Sequence, residues 1–301
     1  MAPLIPIIAI IGPTGIGKTR LSVEVASAIN GEVISVDSIQ VYRDCPIMAA
    51  QVTQDEMKGI PHHLVDYLEV DEEPVDFVAQ AVQAVKLIHS RGHIPVICGG
   101  STSLMEPLLF HPFIQEQNFL AIALNSDLST IQSLCDGRIT SMVEDGLLDE
   151  VKKLSELEKR HNLYESPSRT GAWKSIGYPE LRPWCEAKTT EESENILADG
   201  LKLMKQNTLQ YASMQLELMW TRLIPAMSRM RKGCMVLNVV SRRTFSRDVE
   251  MPALRVCKKW LMELGRENVF DSSRDNYGHG CIAVQPIETI NVRATADGIA
   301  P

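Results

Sequence analysis

The stretch with the most chemical content is Gly12-Pro13-Thr14-Gly15-Ile16-Gly17-Lys18-Thr19. Its spacing is GxxxxGK[ST], in which glycines let successive backbone N–H groups curl around an anion and the lysine adds a full positive charge. A helix beginning at the end of such a loop contributes the partial positive charge of its N-terminus. This arrangement fits a di- or triphosphate, with the Thr19 hydroxyl as a ligand for Mg²⁺. The loop alone does not say which phosphorylated molecule is held, or what is done to it. Asp37-Ser38 closes an apolar run further on, where an aspartate has three readings: Mg²⁺ ligand, general base, or cap of the next element. Gly99-Gly100-Ser101-Thr102-Ser103 is a second glycine turn whose backbone and hydroxyls can meet a ligand. His62-His63 looks like a metal pair, but neighbours in an extended chain point to opposite sides, so a structural or hydrogen-bonding role is expected.

These residues need elements to hold them, and the apolar pattern names those elements. Ile7 to Ile11 run directly into the loop as a buried strand, and Leu21, Val25 and Ala26 recur at helical spacing until Gly31. Further strands are expected at 32–36, 94–98, 119–124 and 235–240. Pro74 is expected to open a helix carrying Phe77, Val78, Ala81, Val85 and Ile88 on one face, stopped by Arg91-Gly92. Other helices are expected from about residue 126, with Arg138 midway and Gly146 at its end, then through Leu154, and over 253–264. Thr189 with Glu192 is a capping-box signature opening a long helical pattern to about residue 223. Residues 39–60 and 160–168 read as irregular, and beyond Gly265 the chain reads as a loose polar tail. Alternating strands and helices around a phosphate loop predict an α/β fold: a three-layer parallel sheet of the P-loop type with appended helices. The carboxyl ends of parallel strands line the ligand crevice, which puts Asp37 beside the loop. The expected layout is one domain over 1–264, with a core at 6–125, a helical part and closing strand at 126–264, and the tail at 265–301.

Composition narrows the class further. At 301 residues and 45% hydrophobic, the chain can bury a full core. No apolar run approaches the roughly 18 residues of a membrane-spanning helix. The first strand comes too early to leave room for a leader segment, so a cytoplasmic protein without membrane contact is expected. Seven scattered cysteines without a CxxC pair point to reduced, mostly buried thiols and to neither a disulfide framework nor a zinc site. The net charge of −8 hides an asymmetry: residues 1–200 hold 15 Lys and Arg against 29 Asp and Glu, while 201–260 hold 12 against 3. A basic C-terminal segment on an acidic body is placed to face phosphates, or is a helix with an ordinary solvated face.

Taken together, the motifs resemble the isopentenyltransferases, which move a dimethylallyl group from its diphosphate to N6 of adenine. GPTGIGKT, VDSIQVYR, PHHLVD, the GGS turn before LMEPLL, RITSMVEDGLLDEV, SIGYPEL and the pair Gln215-Leu216 stand in that family's order and spacing, over about residues 6–223. The resemblance implies that the loop from Gly12 to Thr19 holds the prenyl donor's diphosphate with Mg²⁺ and that no phosphoryl group moves. It further implies that Arg138 pairs with the diphosphate as it leaves, that Asp37 takes the proton from N6, and that Ser38 and Ser101 contact acceptor and donor. Ser101 replaces the family's usual threonine. Where plant members that use free nucleotides have a lysine just after the QL pair, this chain reads Glu217-Leu218-Met219-Trp220.

The layout looks like the shorter adenylate enzymes that make cytokinin precursors, because Gly100 and Phe119 are too close to enclose the large helical insertion of tRNA-modifying members. A free adenine nucleotide is therefore the expected acceptor, with little or no reaction on tRNA. The alternatives are a tRNA adenosine dimethylallyltransferase, a small-molecule or nucleotide kinase, and a nucleotide-holding switch. A kinase calls for an arginine-rich lid and a strand ending in a magnesium-binding aspartate, and neither is evident.

Overall fold

A computed structural model describes residues 4–161 and 170–265. Most of the expected loop at 160–168, the tail after Gly265, and Cys281 lie outside the described residues. In chain order the elements are β1 (Pro6–Ile11), α1 (Lys18–Ala28), β2 (Gly31–Val36), α2 (Gln54–Met57), β3 (His62–His63), α3 (Phe77–Ser90), β4 (Ile94–Gly99), α4 (Met105–Leu109), α5 (Pro112–Gln115) and β5 (Asn118–Asn125). They continue with α6 (Leu128–Glu144), α7 (Leu147–Arg160), α8 (Tyr178–Leu181), α9 (Thr190–Leu218), α10 (Ile224–Arg229), β6 (Gly233–Asn238) and α11 (Met251–Glu263). No helix among the described residues is long and apolar enough to cross a membrane.

The six strands form one sheet in the order β3-β2-β4-β1-β5-β6, every neighbouring pair parallel. Parallel strands are covered on both faces, which is why they appear in sequence as unbroken apolar runs. Alternation within β1 divides the two cores: Ile7, Ala9 and Ile11 pack with α3, α7 and α9, while Ile8 and Ile10 pack with Leu21 and Val25 of α1 and Ala253 and Cys257 of α11. The expected three-layer α/β architecture is therefore the observed one. Strand register brings the loop-bearing ends to one level. Ile11 pairs with Gly99 on one side and Ala123 on the other, and Val36 also pairs with Gly99. Gly12, Asp37 and Gly100 thus leave the sheet side by side at its carboxyl edge.

Local chemistry corrects several boundaries. The helix expected at Pro74 starts at Phe77, because the Asp76 side chain accepts from the Ala79 N–H at 3.0 Å and supplies the cap. The irregular stretch 39–60 contains α2, opened by reciprocal hydrogen bonds between Thr53 and Glu56. The strand expected at 235–240 runs from Gly233 to Asn238. The long helical pattern does reach Leu223, but its last turn, Met219–Leu223, is a wider π turn just before Pro225; a second one, Ser246–Glu250, precedes Pro252. Proline has no N–H for the preceding turn, so the ladder slips there. The two histidines are structural, as expected: His62 Nδ1 meets the Ile60 carbonyl at 2.9 Å, and His63 Nε2 lies 2.6 Å from the buried Glu32 carboxylate, which Arg91 also holds at 2.6 Å.

Two glycines give predictions of opposite sign. A Cβ on Gly100 would collide with the Gly12 carbonyl and reach Gln215 Nε2 at 3.0 Å, whereas one on Gly137, within α6, meets nothing nearer than Arg242 at 3.9 Å. Gly100→Ala is expected to destabilise the protein by about 1–3 kcal/mol. Gly137→Ala is expected to stabilise it by about 0.5–1 kcal/mol, by adding helix propensity at an open site. Thermal unfolding of both variants checks the pair.

Candidate active site

The phosphate loop leaves β1 and closes on α1, whose first residue is Lys18. Gly15 and Gly17 sit at φ 77° and 102°, in the left-handed region that side chains avoid. Neither position has room for a side chain: a Cβ on Gly15 would lie 2.8 Å from Cys135 Sγ, and one on Gly17 2.7 Å from the Phe245 ring. The loop is thus held between α6 and the segment leading into α11. Lys18 folds back over it, with Nζ donating to the Pro13 carbonyl at 2.8 Å. Burial pushes the Lys18 ammonium below its usual pKa, with the Asp37 charge among the opposing influences.

A glutamine ties this loop to the second glycine turn. Thr14 N–H donates to Gln215 Oε1 at 2.7 Å, and Gln215 Nε2 donates to the Gly100 carbonyl at 2.7 Å. Gln215 is buried on α9, on the face that also carries Met204, Thr208 and Tyr211 at helical spacing. Its side-chain amide therefore satisfies one polar group from each of the two loops.

A cavity of about 440 Å³ opens beside the loop. Thr14, Asp37, Ser38 and Arg138 line it, together with an apolar wall that includes Ile39, Met48, Ile139, Met142, Ile176 and Met204. Arg138 reaches from the middle of α6: Nη1 donates to Thr14 Oγ1 at 3.3 Å and Nη2 to the Ala50 carbonyl at 3.4 Å. Burial acts to lower the guanidinium pKa and Asp37 to raise it, but an arginine stays charged. Asp37 Oδ1 accepts from the N–H groups of Ile39 at 2.9 Å and Gln40 at 3.3 Å. The cap reading and the reactive reading of Asp37 are therefore compatible, since the same bonds that close the turn fix the carboxylate at the cavity.

The structure thus brings Thr14, Asp37, Ser38 and Arg138 to one cavity, with Gly12, Pro13, Gly15, Ile16, Gly17, Lys18 and Thr19 forming the loop beside it. Ser101 is buried and does not line the cavity, with Oγ 3.3 Å from Ser103 Oγ, whereas its neighbours Thr102 and Ser103, with Tyr211, are among the hydroxyl-bearing residues that do. The sequence reading missed the wall formed by Met48 to Ala50. Glu150 on α7 holds it by accepting from Ile47 N–H at 2.8 Å and Met48 N–H at 2.7 Å. It also gave Gln215 no role and passed over Lys174 and Tyr211. A signal existed for Gln215 and Glu150, because each is a polar residue in line with the apolar stripe of its helix. Among the described residues no cluster of three or more His, Cys, Asp or Glu side chains could hold a metal ion. A hydroxyl such as that of Thr19 still fits Mg²⁺, an ion that keeps several waters and takes much of its coordination from substrate phosphates.

Comparison with known proteins matches residues 40–117 and 106–222 to the family model described as IPP transferase. A bifunctional cytokinin biosynthesis protein of Fusarium pseudograminearum is 43% identical over 251 residues, covering 83% of this chain and 51% of its own. The chain therefore spans about half the length of that relative. A tRNA dimethylallyltransferase of Streptococcus sanguinis is 30% identical, over 70% of this chain and 87% of that protein. Among solved structures, a eukaryotic dimethylallyltransferase acting on tRNA aligns with a TM-score of 0.73 at 24% identity, covering 86% of this chain and 80% of that one, a likeness of fold.

Gln215→Leu keeps the volume of the brace and leaves Thr14 N–H and the Gly100 carbonyl without their partner. Buried polar groups left unpaired cost about 1–3 kcal/mol. The variant is expected to unfold at correspondingly lower denaturant and to bind inorganic pyrophosphate more weakly, both measurable on the purified protein.

Proposed function

The chain belongs to the IPP transferase family, and on that footing we propose that it transfers a dimethylallyl group from dimethylallyl diphosphate to N6 of a free adenine nucleotide, AMP, ADP or ATP. The observation that carries this reading is the composition of one cavity: an arginine bonded to the phosphate loop, a fixed carboxylate, and a wall of methionines and isoleucines. In this reading the loop N–H groups, Lys18 and Arg138 bind the diphosphate, and the apolar wall takes the prenyl chain. Thr19 would hold Mg²⁺, which when bound would add positive charge against the leaving diphosphate. An allylic carbon can lose its diphosphate only as negative charge building on the phosphate oxygens is met by fixed cations. Asp37 accepts the N6 proton as that nitrogen, a weak nucleophile, attacks; base catalysis of this kind is worth about 10²- to 10⁴-fold.

A tRNA acceptor is the second reading, favoured by relatives and a solved structure that are named for action on tRNA. They lend no support to the expectation of little or no reaction on tRNA. The free nucleotide is favoured by the crossover between Gly100 and β5, which α4 and α5 fill without a large insertion. Gripping a folded RNA takes a wide surface with many phosphate contacts.

Incubation with Mg²⁺, dimethylallyl diphosphate and equal amounts of AMP and an anticodon stem-loop, at about 0.15 M salt so that non-specific RNA binding is screened, decides between the readings. Prenylated AMP is the expected product. Preferential labelling of the RNA overturns the acceptor assignment, and ADP formed from ATP without a prenyl product overturns the reaction. Asp37→Asn is expected to lower kcat by about 10²-fold or more with donor affinity little changed. Arg138→Lys is expected to weaken donor binding and turnover without rescue by its charge, because a point charge cannot match two oxygens as a planar fork does. A near-wild-type lysine variant would place Arg138 outside the machinery.

A further inference from the structure

The cavity contains a cation that the proposed reaction leaves unused. Among the described residues lining it, three are charged: Asp37, Arg138 and Lys174. Arg138 is bonded to Thr14 and so belongs with the phosphate loop. Lys174 comes from a 3-10 turn, Gly171–Lys174, built independently of that loop. The turn is firmly placed: Ala172 N–H donates to the Val70 carbonyl at 2.9 Å, and the buried Trp173 donates through Nε1 to the Leu154 carbonyl at 3.0 Å. Glu73 completes the fit, accepting from Gly171 N–H at 2.8 Å and from Lys174 Nζ through both oxygens, at 2.9 and 2.7 Å. The ammonium also lies 5.7 Å from the centre of the Tyr42 ring. An ammonium has three N–H donors. Glu73 takes two of them, which leaves one, on a side chain that lines the cavity and is 32% exposed.

Prenyl transfer to a nucleotide brings two phosphorylated molecules into one space. Their charges repel in a partly dry cavity unless each meets its own cation. The loop, Lys18 and Arg138 account for the donor. We propose that Lys174, oriented by Glu73, is the specificity-determining residue for the acceptor and receives the phosphate of the adenine nucleotide. This rests on the proposed prenyl transfer and names what that reading leaves open, how a free nucleotide is preferred over its nucleoside.

Calorimetric titration of AMP and adenosine into wild-type protein, K174A, K174R and E73Q tests the assignment. Wild type is expected to bind AMP about tenfold or more tightly than adenosine, the scale of one charge-assisted contact. K174A should reduce that preference to within about twofold, mainly through AMP, and K174R should keep most of it. E73Q removes the counter-charge but keeps the cation and one acceptor oxygen to orient it, and should keep most of the preference. Equal loss for both ligands in K174A, equal loss in K174A and E73Q, or no preference in wild type would each overturn the proposal. Prenylation is a separate readout. Preferential AMP binding that depends on Lys174, without any prenylated product, would sink the proposed reaction and leave the phosphate contact standing. Equal prenylation of AMP and adenosine would overturn the contact alone.

Discussion

The backbone of Gly100 passes so near the Gly12 carbonyl that no side chain fits between them, and the rest of the site takes its place from that approach. It follows from pairing β1 with β4 in parallel register, with Ile11 opposite Gly99. Two loops leaving adjacent strands at one level must either diverge or share their polar groups. Here Gln215 lets them share. The amide of one α9 residue fills a donor need in one loop and an acceptor need in the other, so the loops and the helix hold their positions jointly.

Electrostatics then sorts the cavity. Lys18 and Arg138 are both pressed toward neutrality by burial, and Asp37 is the nearby anion that opposes this for each. Under the proposed reaction a diphosphate would bring more negative charge than Asp37 alone and would relieve a cost that the free protein carries. Glu150 shows the complementary case. Burial pushes its carboxyl up, while the N–H groups of Ile47 and Met48 act against that push. The apolar wall is therefore fixed through a polar side chain, and Ala50 in that same wall offers its carbonyl to Arg138. The apolar wall and the arginine beside the loop are continuous through a single backbone segment.

Much of this was legible in the sequence. The buried strands announced themselves as apolar runs because parallel strands lose solvent on both faces, and the phosphate loop because glycine is required wherever φ is positive beside an anion. The site residues Thr14, Asp37 and Ser38 converge because strand ends in a parallel sheet share an edge, a rule that needs no coordinates, and Arg138 reaches them from the middle of α6. What stayed illegible depends on packing across long separations. Nothing local marks Met48 to Ala50 as a wall, since what shapes it is a carboxylate about a hundred positions later. Lys174 is one lysine among many until Trp173 is buried beside it. Ser101 stands in sequence where the resemblance implies a ligand contact, yet just past the end of β4 it is buried, and its neighbours Thr102 and Ser103 line the cavity instead.

The π turn before Pro252 acts on the phosphate loop through rotation. Phe245, immediately before that turn, packs its ring against Gly17, with the Arg20 guanidinium 4.9 Å from its ring centre and Arg20 paired to Glu250 at 2.6 Å. Each residue of an α-helix advances the side-chain direction by roughly 100°. A turn that closes one residue late therefore sets everything before it out of phase with α11 by about that angle. The body of α11 directs Ala253, Cys257 and Leu261 into the sheet, and the phase slip lets Phe245, eight positions before the first of these, aim at the glycine loop. The missing hydrogen of one proline thus works like an offset in a gear train, timing an aromatic ring to the place where the phosphate loop turns into its helix.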